Sequence, residues 1–352
     1  DYMGRDERLV TTQDLLDSGA IPRLNGYKVR GGKVSDSIFG GPVVYDGEVV
    51  AENPPLETKD GIPLRIMVRT PRISTHDLNR GEIPFKEQIL AANHNYMRRL
   101  LAAAIGTSQF EVHGLDDNSV VIAAEDLRQL AFENVLRAYM AETTTSTSLY
   151  QHFMNGSRFV CGHALPNDLV ANGKLPYVMD TPSTKSDFHD ESVSPQTLIR
   201  EGILNAEQYA QLRNSSLVAF GIVTEFLRNR DLIAVDTKTE HGVNKKGQIV
   251  SQDEIWTMDS SRFWSLSDYQ TQLAQLEAGT ISKLNPKSFS KEFARGFSKG
   301  EQGYTDEQRA QIAVRYIDGV QRLLGRPFNP DVRPFEERVV SGLEAVVAQL
   351  VA

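Results

Sequence analysis

The stretch from residue 232 to residue 264 restricts the fold more than any other part of the chain. It opens with Leu232-Ile233-Ala234-Val235, an unbroken apolar run, and a short run of this kind fits a strand whose start is buried. Charges then alternate: Asp236, Lys238 and Glu240 stand at i, i+2 and i+4, which places all three on one face of a strand. Asn244-Lys245-Lys246-Gly247 supplies turn residues, and residues 248–256 read as the returning strand. With those four residues as the loop, Val243 pairs with Gln248 and Lys238 with Asp253. Asp253 then joins the charged face, diagonal to Asp236 and Glu240. Such diagonals lie roughly 7–8 Å apart, a gap that two carboxylates sharing one Mg²⁺ span. Hard oxygen ligands completed by phosphate oxygens are what Mg²⁺ prefers.

The same spacing also fits a solvated hairpin that carries surface ion pairs. Two features weigh against that reading. The strand starts fully apolar, and the return ends in Asp259-Ser260-Ser261-Arg262-Phe263-Trp264, a charged cluster beside two aromatics that a surface turn does not need. A buried arginine requires a partner, and Asp259 or a ligand phosphate is the natural one.

Bulk properties narrow the function classes. The chain has 352 residues, 40% hydrophobic and 24% charged, with a formal net charge of −8. That is ordinary globular composition with enough length for two or three subdomains. A free-standing nucleic-acid binder shows the opposite charge balance or a basic stripe, so nucleic acid is not an expected partner. Cys161 is the single cysteine, which rules out an intrachain disulfide and a cysteine-based zinc site. It reads as a buried packing residue, and each histidine as structural or superficial. No run approaches 18 apolar residues and the start lacks a signal-peptide layout, so the expected location is cytoplasmic, away from membrane.

Element signals follow along the chain. Gly31-Gly32, Gly40-Gly41-Pro42 and Asn53-Pro54-Pro55 mark turns, with short strands near 28–30 and 42–45. Residues 64–70 read as a buried strand and 85–105 as a helix ended by Gly106. Residues 119–124 and 132–140 read as further strands, 142–148 as a Thr/Ser-rich loop or anion-contacting turn, and 181–194 as a polar loop. Asn205 with Gln208, and Thr305 with Gln308, open helices through capping boxes; a last amphipathic helix covers 335–350. Strands early and helices late, joined by antiparallel links, predict an α+β fold. The expected division is an N-terminal α+β subdomain at 1–115, a central ligand-binding α+β domain at 116–270 and a helical segment at 271–352.

Several motifs resemble those of the SAICAR synthetase family. Val235-Asp236-Thr237-Lys238-Thr239-Glu240-His241-Gly242 is similar to its D-T-K-x-E-F-G signature, and residues 253–264 to D-E-x-x-T-P-D-S-S-R-x-W. Thr181-Pro182-Ser183-Thr184-Lys185 with His189-Asp190-Glu191, residues 69–77, Gly32-Lys33-Val34-Ser35-Asp36 and residues 132–139 match further family segments in order. The resemblance spans roughly residues 29–325.

The resemblance implies antiparallel sheets with packed helices and an ATP site between a small N-terminal and a larger C-terminal subdomain. It implies ATP-dependent joining of L-aspartate to the carboxylate of carboxyaminoimidazole ribonucleotide (CAIR), in purine biosynthesis, with Mg²⁺ accompanying ATP. Glu240 and Asp253 are then the Mg–ATP carboxylates. Gly32, Lys33, Val34 and Ser35 hold ATP phosphates, and Gln129 borders adenine. Arg137, Ser148, Asp259 and Arg262 grip the ribonucleotide. Asp236 and Lys238 sit at the reacting carboxylate, and Asp190 serves a second metal or the incoming amine. Ser74, Asp77 and Lys86 attend the aspartate end. Self-association into a homo-oligomer is an open expectation.

The sequence departs from the pattern in ligand-facing loops. Residues 137–148 lack the family's glycines and carry about five additional positions, with Ser146 competing with Ser148 for the family serine. Ser35 replaces the basic residue of the phosphate loop, Phe85-Lys86-Glu87 stands for G-K-G, and Met258 replaces proline. These changes keep alive a paralogous ligase with another heterocyclic carboxylate or amine, and an ATP-binding protein without ligase activity. A phosphotransferase is disfavoured by the lack of an H-R-D-like motif.

Overall fold

The computed structural model describes residues 10–76, 78–185 and 190–352. Two antiparallel sheets organise the chain. The first has four strands in the order Arg30–Gly31, Ser35–Phe39, Leu64–Arg69 and Val121–Glu125. Leu64, Ile66 and Val68 alternate toward one side and are fully buried. The helices Thr12–Asp17 and Phe335–Leu350 cover that side, contributing Leu16, Val339 and Leu343 to its core. Their apolar residues remove the sheet face from water, the dominant favourable term in folding. Gly342 makes the close approach: a Cβ there would stand 2.6 Å from Val121 Cγ2.

The second sheet has six strands around two long neighbours, Arg128–Tyr139 and Leu232–Val243. Lys174–Asp180 and Ser183–Thr184 pair with the first of these; Ile249–Gln252 and Ser261–Ser265 share the free edge of the second. Behind the sheet lie the helices Lys86–Leu100, Ala206–Arg228 and Asp306–Leu324, whose apolar residues, Phe220 among them, join Trp256 and Phe263 in the largest core. The expected capping boxes are present at Asn205/Gln208 and Thr305/Gln308, and Gly325 ends its helix at φ 66°. The α+β expectation holds, and solved relatives described below share the fold.

The hairpin differs from its expected register. Val243 pairs with Ile249, and Glu240 with Gln252. Asn244 Oδ1 accepts from the backbone N–H groups of Lys246 and Gln248, and Gly247 takes φ 77°. Gln248 therefore belongs to the loop, and the ladder shifts by one residue. Nor does one strand run back to Trp264. Asp253 and Trp256 adopt φ 58° and 54°, a left-handed conformation that breaks a strand. The chain leaves the sheet there and returns as Ser261–Ser265, opposite Leu232–Thr237. Asp253 thus flanks the ladder instead of occupying a rung opposite Lys238.

The first sheet takes its last strand from Val121–Glu125, beyond residue 115, and the final helix packs on this sheet. Lys59 N donates to Leu350 O (2.9 Å), and Ala352 N to Glu57 O (3.1 Å), tying the end of the chain to that layer.

Candidate active site

On the two long strands Asp236 stands opposite Arg137, Lys238 opposite Val135 and Glu240 opposite Glu133. Strand periodicity puts Glu133, Val135 and Arg137 on one side, and all three line a cavity of about 660 Å³ with Asp236 and Lys238. Lys33, Ser74 and His76 from the N-terminal part of the chain also line it, as do residues 144–148. His76 Nε2 and Thr144 Oγ1 join these two parts at 2.9 Å. The hairpin that carries Ser74 is anchored by Arg80, whose guanidinium donates to Gly300 O (2.6 Å) and Gln302 O (2.8 Å).

Asp236 is the hub of the wall formed by the two long strands. It is buried and pairs with the guanidinium of Arg262 and with Arg137 Nη1 at 3.2 Å. Arg137 also donates to Thr181 Oγ1 (2.9 Å), and Arg262 reaches Glu292 at 3.4 Å. Two guanidiniums, balanced by Asp236 and Glu292, stand in the cavity lining, and their planar forks suit planar oxyanions. Asp259, one of the two partners expected for Arg262 beside a ligand phosphate, does not pair with it; Asp236 and Glu292 flank the arginine instead.

Asp259 serves a different network at the cavity floor. Its Oδ1 accepts from Tyr316 Oη at 2.6 Å, and its Oδ2 lies 2.8 Å from Lys86 Nζ and 3.9 Å from Lys291 Nζ. Burial opposes the charge, but Lys86 and Lys291 outweigh it and lower the carboxyl to about 2. Lys86 is completely buried and stands behind Asp259, outside the cavity lining.

Lys238 links the cavity to the carboxylates of Glu133 and Glu240. Its ammonium donates to Glu133 Oε1 at 2.5 Å and lies 3.7 Å from Glu240 Oε1. Burial disfavours this charge, yet Glu133 and Glu240 together hold the lysine above its ordinary value. Glu240 in turn pairs with Lys185 and accepts from Gln129 Nε2 at 3.3 Å. Against the burial of its carboxyl, Lys185 and Lys238 keep it below the usual range and therefore ionised. Asp253, half-buried, adds its field at Lys238. In the Gly–Lys loop, Gly32 N donates to Ser35 O (2.8 Å), and a Cβ on Gly32 would meet that oxygen at 2.7 Å. Asp36 anchors the loop by accepting from Thr12 and pairing with Arg72 at 2.6 Å.

Of the expected residues, Lys33, Ser74, Arg137, Ser148, Asp190, Asp236, Lys238, Asp259 and Arg262 line the one cavity. Gly32, Val34, Ser35, Gln129, Glu240 and Asp253 lie outside its lining. Asp77 and His189 fall outside the described residues. Ser148 also caps the helix Leu149–Met154, its Oγ accepting from Gln151 N at 3.1 Å. The Thr/Ser run carries no helix or strand before Ser148 and contributes Thr144, Thr145, Ser146 and Thr147 to the wall.

Sequence reasoning missed Glu133, Lys291, Glu292 and Arg295, all in the lining. For Glu133 the signal was available: it stands at i−4 from Arg137 on the same strand face. Lys291 and Arg295 are likewise spaced i, i+4, but on the five-residue helix Lys291–Arg295, too short to stand out from its surroundings.

Fold and cavity together define an enzyme that binds anionic small molecules between basic and acidic side chains on an antiparallel sheet. The SAICAR synthetase sequence family matches residues 57–311. The chain is 33% identical over 327 residues to a putative phosphoribosylaminoimidazole-succinocarboxamide synthase 2 of Mesorhizobium japonicum, covering 90% of this chain and 94% of that protein. It is 34% identical over 294 residues to the phosphoribosylaminoimidazole-succinocarboxamide synthase of Cytophaga hutchinsonii, covering 79% and 88%. Among solved structures, the SAICAR synthase of Saccharomyces cerevisiae complexed with SAICAR superposes with a TM-score of 0.61 at 19% identity, over 86% of this chain and 97% of that one. A type-2 SAICAR synthetase in complex with ADP gives 0.59 at 19% identity, over 86% and 100%. The chain belongs to the SAICAR synthetase family of ATP-dependent ligases. The Gly32–Asp36 loop precedes the matched residues, and among the described residues no helix is long and apolar enough to cross a membrane.

Proposed function

We propose that this chain joins L-aspartate to the carboxylate of CAIR through an acyl phosphate, giving SAICAR, ADP and phosphate. The observation that carries the reading is Asp236 held between Arg137 and Arg262, beside Lys238, in one cavity with Ser148 and Asp259. A carboxylate is a poor electrophile, so a phosphoryl group from ATP is placed on one of its oxygens before the amine attacks. The protein's part is positioning and charge stabilisation. Arg137, Arg262 and Ser148 grip the ribonucleotide; Asp236 orients both guanidiniums, and Lys238 neutralises charge at the reacting carboxylate. Gly32, Lys33, Val34 and Ser35 attend the ATP phosphates, with Gln129 toward adenine. Asp190 attends the incoming amine or a second metal, and Ser74 the aspartate carboxylates; Asp77, given that end by the family pattern, lies outside the described residues. Lys86 acts on that end only through Asp259.

Glu240 and Asp253 are the residues that would hold Mg²⁺. Glu240 is kept ionised by Lys185 and Lys238, and two carboxylates completed by phosphate oxygens form a hard-oxygen donor set. Held by these residues, Mg²⁺ would supply positive charge to offset that of the ATP phosphates.

The test is ADP release by purified protein supplied with Mg–ATP, CAIR and L-aspartate, each omitted in turn, with SAICAR identified by mass. Release that requires all three supports the reading. No turnover with this pair, but turnover with another heterocyclic carboxylate or amine, would replace CAIR or aspartate; the Thr/Ser wall at residues 144–148 is where such a change of substrate would be accommodated. ATP binding without any turnover would point to a non-catalytic nucleotide binder.

A further inference from the structure

The ligase reading sets Asp190 near the incoming amine or a second metal but names no acceptor for the amine's proton: the incoming ammonium must lose one before its nitrogen has a lone pair to attack with. Lys291 stands where that proton can go. It begins the short helix Lys291–Arg295, and its backbone N–H donates to Met258 O at 3.0 Å, fixing it beside Asp259. Its side chain is 17% exposed and lines the cavity.

Asp259 is the obvious partner for this ammonium, yet both carboxylate oxygens are engaged elsewhere. Tyr316 Oη donates to Oδ1 at 2.6 Å and Lys86 Nζ stands 2.8 Å from Oδ2. Lys291 Nζ is left 3.9 Å from Oδ2, beyond hydrogen-bond reach. Lys238 and Lys185, by contrast, are bonded to Glu133 and Glu240. Two lysines therefore converge on one carboxylate, and the buried one takes it.

We propose that Lys291 Nζ accepts the proton of the attacking amine, a catalytic role that rests on the ligase reading above. The neutral lysine takes one proton from the ammonium, and the freed lone pair forms the C–N bond to the acyl carbon. The C–O bond to phosphate then breaks with its electron pair on the phosphate. The departing phosphate takes the second proton of the nitrogen and leaves as hydrogen phosphate, with the amide neutral. The setting favours a neutral lysine. Burial pushes Lys291 down, Asp259 opposes it, Lys86 and Arg295 push further down and Glu254 opposes, with a result of about 8. A base works best near the operating pH.

The test compares wild type with Lys291→Arg, which keeps the charge but cannot act as a base near neutrality, and with Lys291→Met. Each is assayed for CAIR-dependent scrambling of ¹⁸O in the β,γ-bridge of ATP without aspartate. Amide formation is then measured with aspartate, and hydroxamate formation with hydroxylamine, a nucleophile already neutral at pH 7. ADP affinity and circular dichroism verify folding. For both variants, scrambling and hydroxamate formation stay near wild type while turnover with aspartate falls about 100-fold or more. The wild-type acid limb in kcat/KM for aspartate, near pH 8, disappears. Retained aspartate turnover in Lys291→Arg, or equal losses with aspartate and hydroxylamine, would overturn the assignment in favour of anion binding. Wild type that shows no CAIR-dependent scrambling would overturn the ligase reading, and this inference with it.

Discussion

Single side chains in this protein are held in place by shared carboxylates and by neutral histidines. Asp236 serves two arginines and Asp259 serves Lys86 and Tyr316, so each acid fixes groups from separate elements. His94 is buried, accepts from Ile255 N at Nδ1 (3.2 Å) and bonds Gln109 Oε1 through Nε2 (2.8 Å). A second ring proton would face the Ile255 N–H. Burial lowers His94 to about 3, with Arg69 adding to the effect, and burial lowers His241 to about 4. The unfolded chain takes up protons at these residues below about pH 6.5 while the folded chain does not. Stability therefore falls as pH drops from about 6.5 toward 4, by up to about 1.4 kcal/mol per pH unit for each histidine. Urea midpoints measured from pH 7 to pH 4.5 should fall, and His94→Gln should flatten the curve. An unchanged slope in that variant would remove His94 from the account.

At the scale of elements, the long strand pair carries most of the charged cavity wall, and Glu240 and Asp253 of the adjoining hairpin are the carboxylates proposed for Mg–ATP. Glu240→Gln and Asp253→Asn should each lower Mg–ATP-dependent turnover by about 100-fold or more, with unchanged thermal melting; wild-type rates would show that metal and nucleotide bind elsewhere. The strand faces were legible because alternation is local: Asp236 and Lys238 were expected on one face, and both line the cavity. The hairpin register was not. It depends on Asn244 closing a five-residue loop and on Asp253 taking a left-handed backbone, and neither is encoded in the alternation. The partner of Arg262 was missed for a related reason. Asp259 is its neighbour in sequence, but Asp236 is its neighbour across the sheet, and register decides which carboxylate it meets. Lys291 and Arg295 became visible only when the fold brought their short helix over the Met258–Asp259 turn.

For the whole molecule, the cavity forms where both layers contribute residues, Lys33 and Ser74 from the N-terminal part and Arg137, Asp236 and Lys238 from the long strands. Arg69 from the first sheet lies 3.4 Å from Glu254 of the segment that follows the hairpin. The final helix stiffens the first layer from outside, where Gly342 meets Val121. Gly342→Val should separate them and cost about 1–3 kcal/mol in a denaturant titration; equal stability would mean the helix packs less closely than described. The proposed reaction runs through an acyl phosphate, and isotope transfer tests that step directly. With CAIR labelled by ¹⁸O in its carboxylate, Mg–ATP and L-aspartate, each turnover should carry one labelled oxygen into the inorganic phosphate, read as a shifted ³¹P resonance. Phosphate formed at the same rate without label would contradict the acyl phosphate and the function built on it.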